Sequence, residues 1–217
     1  MANQGAGKAI LFGALSLGVF AFAMTLSGSA QATEKWLKKV GKGKIPKTLK
    51  NAAANFSGEI VASARKWATA RKVPLLEILA TILLESRGNP KAHALTAKED
   101  SRGSMQVNIR AHGDLLKARG YTPDDLYRVD VGIEIGSLIY AQARARVAAL
   151  AKACKAPQTH DLSTLTRLYY AGPKYVIKML QKAKNQADTV RPFKNSDVYV
   201  SHWHDALDAV ASVYGRR

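Results

Sequence analysis

The chain has 217 residues, 47% of them hydrophobic, which is enough for one well-buried domain with a leader and a tether but not for two full domains. Its single cysteine, Cys154, excludes an internal disulfide and any multi-thiolate metal site. The formal charge is +17, and because residues 1–32 contribute only Lys8, +16 of it belongs to the remainder and calls for an anionic partner.

In chain order, residues 9–32 are uncharged, with an apolar core from Ile10 to Leu26. This reads as an export signal or a membrane anchor. Ala30-Gln31-Ala32 fits a small-x-small cleavage site, while the apolar core is also long enough to span a bilayer. Either way the rest is expected to be exported, in the periplasm or cell envelope. No cysteine directly follows the apolar stretch to carry a lipid. Export makes cell-wall polymer, with its free peptide carboxylates, the expected anionic partner; nucleic acid is not expected, since no motif for it is visible.

Residues 33–57 hold seven lysines against one acid, Glu34, with Gly41, Gly43 and Pro46 among them. Two readings fit: a basic tether that associates with a membrane or an envelope machine, and a disordered linker. From residue 58 to the end we expect one domain, mainly α. Ile60, Ala64, Trp67 and Ala68 recur at helical steps, with Arg65, Lys66 and Arg71 turned to water. The run Pro74-Leu-Leu-Glu-Ile-Leu-Ala-Thr-Ile-Leu-Leu-Glu-Ser86 is apolar nearly all round and predicts a buried central helix, with Pro74 in its first turn, Gly88 as the positive-φ residue past its end, and Pro90 as a stop.

Residues 90–108 lack a helical period and predict a short hairpin or an irregular cleft wall. Thr122, Pro123 and Asp125 form a capping box for a short turn. Asp130 is expected to cap a long helix running to about residue 154, with Val131, Ile135, Leu138, Ile139, Gln142 and Val147 on its inner side. Asp161 or Ser163 opens a helix that delivers Tyr169. The last helix starts at Ser196 and carries Val200, Trp203, Leu207, Val210 and Tyr214 at steps of three and four. His202 and His204 are two apart on that helix and so point to different faces, which argues against a shared metal.

Glu85 is the candidate with most chemistry. It closes the apolar run where the helix stops, and a carboxyl at the edge of an apolar environment loses hydration on ionising, the setting in which a general acid retains its proton. Downstream, Gly103 reads as a turn, with Met105 and Gln106 as a paired apolar and amide wall. Arg167-Leu-Tyr-Tyr-Ala-Gly-Pro-Lys-Tyr-Val176 then supplies Tyr169 and Tyr170 before a forced turn at Gly172 and Pro173. An amide and aromatic faces suit a sugar.

Taken in order, Glu85-Ser86, Gly103-Ser104-Met105-Gln106 and Tyr169-Tyr170-Ala171-Gly172-Pro173 resemble the motifs of the soluble-type lytic transglycosylases, whose fold is lysozyme-like. Ser104 stands where that family usually carries Leu, and Tyr170 where it carries Asn. Asp130-Val-Gly-Ile-Glu-Ile-Gly-Ser-Leu-Ile-Tyr140 resembles the family's long central helix and Ser196-Asp-Val-Tyr-Val200 its closing helix, so the resemblance spans about residues 58–214.

The resemblance implies an enzyme that cleaves peptidoglycan glycan strands with Glu85 as the one catalytic acid and base. Ser86, Gly103, Met105, Gln106, Tyr169 and Tyr170 would be the substrate-binding set. It implies no metal and no organic cofactor. Two alternatives stay open. A hydrolytic muramidase on the same fold would need a second carboxylate to activate water, for which Glu99 and Asp100 are available. A non-catalytic, basic wall-binding or assembly protein would keep the fold without turnover.

Overall fold

A computed structural model describes residues 45–154 and 196–215, together with Thr166. The expected leader, most of the tether, and the Tyr169 and Tyr170 segment lie outside the described residues. In chain order the elements are α1 (Lys47–Ala54), α2 (Gly58–Arg71), α3 (Leu75–Ser86), β1 (His93–Leu95), β2 (Asp100–Arg102), β3 (Val107–Asn108), α4 (Ile109–Ala118), a 3-10 turn (Pro123–Tyr127), α5 (Val129–Cys154) and α6 (Ser196–Tyr214). The fold is mainly helical in a single domain, as expected.

Local chemistry sets several boundaries. Ser57 caps α2 by accepting from the Ile60 amide at 3.3 Å, and Glu59 lies in the first turn, where the helix dipole favours an acid. Pro74 stands one residue before α3, as its N-cap. The end of α3 uses two left-handed residues rather than one, Arg87 (φ 55°) and then Gly88 (φ 84°). Asp125 Oδ2 takes hydrogen bonds from the Thr122 amide at 2.8 Å and hydroxyl at 2.7 Å, which completes the expected box.

The core gathers around α3, where Ile78, Leu79, Ala80, Ile82 and Leu83 are all buried. Helix α6 covers α3 and α1 packs on both, while α2 lies against α5. On α6 the stripe of Trp203, Leu207 and Val210 is buried as its spacing predicts. A smaller cluster of Val107, Leu116, Leu126, Val131, Ile135 and Ile139 joins the sheet side to α5. The region 90–108 holds an antiparallel sheet in the order β1-β2-β3, with His93 opposite Arg102 and Ser101 opposite Asn108.

Four expectations need correction. Residues 47–54, read as part of the tether or linker, are helical and packed, with Ala53 fully buried, because Ile45, Leu49 and Ala52 join the same core. Arg71 does not face water: it lies 4.0 Å from Glu134 and 5.3 Å from the Trp67 ring centre. Gln142 is exposed, while Ile133 and Tyr140 are fully buried, because early α5 is enclosed on nearly every side. Asp130 sits inside the first turn of α5 rather than at its cap, and reaches across to α2.

There it accepts from Trp67 Nε1 at 2.8 Å and from Ser63 Oγ at 3.2 Å, and pairs with Lys66 at 3.0 Å. Burial pushes this carboxyl up, but Lys66, Trp67 and Ser63 outweigh it and hold the group below its ordinary 3.8. A lowered carboxyl stabilises the fold above the unfolded value, and that contribution disappears as pH falls through the folded value. With 44% of the side chain exposed, the effect is screened. Asp130→Asn should therefore cost about 1 kcal/mol or less near neutrality. Urea-unfolding midpoints should show the gap to the parent narrowing as pH falls below the ordinary 3.8; a constant gap would refute this account.

Candidate active site

Glu85 is the last residue but one of α3 and is half-buried. Its helix is held from behind by α6 and α1, so the carboxyl is carried on the most enclosed element of the fold. Ser86 then fastens the helix end. Its hydroxyl donates to the Ser104 carbonyl at 2.8 Å, lies 3.2 Å from the Ile82 carbonyl, and accepts from the Gly88 amide at 3.1 Å. Ser86 thus clamps the backbone on which Glu85 stands to the loop after β2.

That loop is built tightly. Gly103 has φ 79°, and a Cβ there would come within 2.2 Å of the Leu126 carbonyl oxygen, so no larger residue fits under the 3-10 turn. Met105 is fully buried, seated where Gly136 of α5 leaves room: a Cβ at Gly136 would lie 2.5 Å from Met105 Cβ and 2.6 Å from its Sδ. As a substrate wall Met105 is therefore corrected. Its side chain belongs to the core and locks the loop onto α5.

Gln106 takes a left-handed conformation (φ 48°) and is half-buried. Its amide nitrogen donates to the Ala92 carbonyl at 3.0 Å and the Gly103 carbonyl at 2.9 Å. Both N–H groups are thereby committed to backbone, which orients the side chain and leaves its oxygen as the group able to accept. Ser104, the departure from the family's Leu, is 1% exposed, and its hydroxyl has no hydrogen-bond partner among the described residues.

The two carboxylates considered for activating water are engaged elsewhere. Asp100 takes Arg102 Nε at 3.0 Å and Nη2 at 3.2 Å and pairs with His93 Nε2 at 2.9 Å. The Arg102 hydrogen bonds hold its carboxyl below the ordinary range, against an opposing push from burial and with help from His93. Glu99 accepts from the Ser101 hydroxyl at 2.6 Å. Arg102 also bridges to Asp124.

Sequence reasoning overlooked a buried ion pair behind the site. Glu77, two turns before Glu85 on α3, is 3% exposed, and its carboxylate meets Arg144 Nη1 at 2.6 and 2.8 Å and the Tyr140 hydroxyl at 3.1 Å. The signal was present, since Glu77 is the one charge inside the apolar run before Glu85. Its partners are 63 and 67 residues away in sequence, which no local pattern announces. Among the described residues no group of three or more His, Cys, Asp or Glu side chains is placed to hold a metal ion.

A helical domain that presents one carboxyl at the end of a buried helix, next to a glycine loop clamped to that helix, has the plan of the lysozyme-like superfamily. The chain matches the family model described as Transglycosylase SLT domain over residues 62–191, more than half its length, and it belongs to that family. It is thereby one of the soluble-type lytic transglycosylases, with peptidoglycan as its substrate class. All three motifs, from Glu85 to Pro173, fall inside the matched stretch. No curated protein matches the chain. No helix among the described residues is long and apolar enough to cross a membrane.

Proposed function

We propose that this protein cleaves the β-1,4 bond between N-acetylmuramic acid and N-acetylglucosamine and leaves 1,6-anhydromuramic ends. Glu85 donates its proton to the bridging oxygen as the bond from C1 to that oxygen breaks, and the sugar becomes oxocarbenium-like. The resulting carboxylate accepts the proton of the muramic C6 hydroxyl as that oxygen bonds to C1. The proton count returns to its start and no water is consumed.

The observation that carries this reading is the position of Glu85 at the end of a core helix, beside the Gly103 loop that Ser86 clamps to it, while Asp100 is ion-paired and Glu99 is hydrogen-bonded to Ser101. The fixed Gln106 oxygen supports a role in accepting from the substrate's acetamide N–H, and Ser86 and Gly103 serve by holding the backbone of the site. Tyr169 and Tyr170 complete the binding set in this proposal. The leader and lysine-rich segment suit an envelope enzyme that opens the wall locally for a secretion, conjugation or phage machine.

Mass spectrometry of products from purified peptidoglycan tests the chemistry. Anhydromuramic ends are the expected result, and reducing ends would replace the proposal with hydrolysis. A second expectation concerns charge. Sedimentation with purified wall should weaken as salt rises from about 0.05 to about 0.5 M, because screening over that range shortens electrostatic reach to a few ångströms. Binding that ignores salt would show that the net charge is not an anchor.

A further inference from the structure

We infer that Phe56, which lies outside the stretch matched to the family, is a positioning residue for the catalytic turn after Glu85. This inference rests on the reading of Glu85 as the acid. The turn is fixed at two points. Ser86 clamps its first residue to the Ser104 carbonyl, and the ring of Phe56 closes on its far side at Gly88. A Cβ at Gly88 would come within 2.7 Å of Phe56 Cδ1 and 2.9 Å of Cε1, so the ring rests directly against the Gly88 backbone.

Phe56 is itself held from two directions. It lies between Asn55, the C-cap of α1, and the Ser57 cap of α2, and it is only 8% exposed. Its ring stacks on Tyr214 near the end of α6, with centroids 6.3 Å apart and planes 13° from parallel. The Tyr214 hydroxyl donates to the Ala53 carbonyl in α1 at 2.8 Å. One wedge therefore joins α1 and the end of α6 behind Gly88, and Ala53, Phe56 and Tyr214 all lie outside residues 62–191.

Arg87 and Gly88 both hold left-handed conformations, which persist where surrounding contacts impose them. Without the ring, the far side of the turn loses its support and Glu85 loses its fixed aim. Displacement of a reacting group by about 1 Å costs on the order of 100-fold in rate. Phe56→Ala should therefore lower kcat by about 10- to 100-fold on soluble glycan strands, with KM nearly unchanged.

Leu49→Ala, which trims the same core from α1 without touching the turn, should destabilise the fold yet keep the parent kcat. The contact is tested directly by Gly88→Ala. That variant should be impaired by the clash with the ring, and adding Phe56→Leu, which removes the ring, should recover part of its kcat. The recovery also serves if Phe56→Ala does not fold. A parent-like kcat in Phe56→Ala, or simple addition of the two losses in the double variant, would overturn the inference while leaving Glu85 in place. Turnover surviving in Glu85→Gln would overturn both.

Discussion

Glu85→Gln is expected to lower turnover on purified peptidoglycan by about 10²- to 10⁴-fold, the range that one acid–base group commonly supplies. In rate terms this is about 3 to 5.5 kcal/mol of transition-state stabilisation. The amide keeps the size and shape of the carboxyl but has no acidic proton to give the bridging oxygen, and no anion to take the proton from the C6 hydroxyl. One side chain is assigned both transfers, so one substitution removes both. Glu85 is half-buried at a helix end, and the amide keeps the size and polarity of the carboxyl, so thermal unfolding should stay close to the parent. Parent-like turnover in Glu85→Gln would remove Glu85 from the mechanism. A large loss of folding stability would mean that the carboxylate supports the structure instead.

Arg144→Ala should have the largest effect on stability, about 3 to 5 kcal/mol, as when a cation is taken from a buried carboxylate. The Glu77 side chain is 4% exposed and that of Arg144 13%, so solvent cannot replace the lost cation without opening the core. Of its partners among the described residues, Tyr140 would still donate to Glu77, but a neutral hydroxyl does not offset a buried charge. Urea unfolding is the measurement. Replacing both charges with well-packed apolar residues should cost less than Arg144→Ala alone, because the desolvation of both ions is then avoided. A single-variant loss under about 1 kcal/mol would show a pair no stronger than a surface salt bridge.

The pair also explains how a helix of this composition holds its register. The apolar faces of α3 could slide against their neighbours at modest cost, whereas Glu77 must meet Arg144 and Tyr140 at one setting. The same register sets where Glu85 and Ser86 emerge, two turns later, next to the Ser104 carbonyl. Stability and site geometry are thus coupled through one helix.

Much of this molecule was legible from local chemistry. Pro74, Gly88 and the box of Thr122 and Asp125 mark element ends because caps and turns depend on residues three or four apart. The buried stripes of α2 and α6 follow from helical spacing. The motifs around Glu85, Gly103 and Gln106 were readable because residue type and order carry the resemblance without any coordinates. What remained hidden depends on contacts between distant segments. The three strands have only two or three residues each, too few for alternation to register. Met105 reads as a wall residue until Gly136 is seen to receive it. Asp130 looks like a cap until Ser63, Lys66 and Trp67 surround it. Phe56 and Tyr214, 158 positions apart by their numbering, meet only in the fold. The amino-acid sequence alone marked helices α2, α3, α5 and α6, several of their ends and the candidate acid, since those rest on neighbours along the chain. Only the tertiary structure decided which side chains hold that acid in place, because burial and pairing arise when remote segments pack.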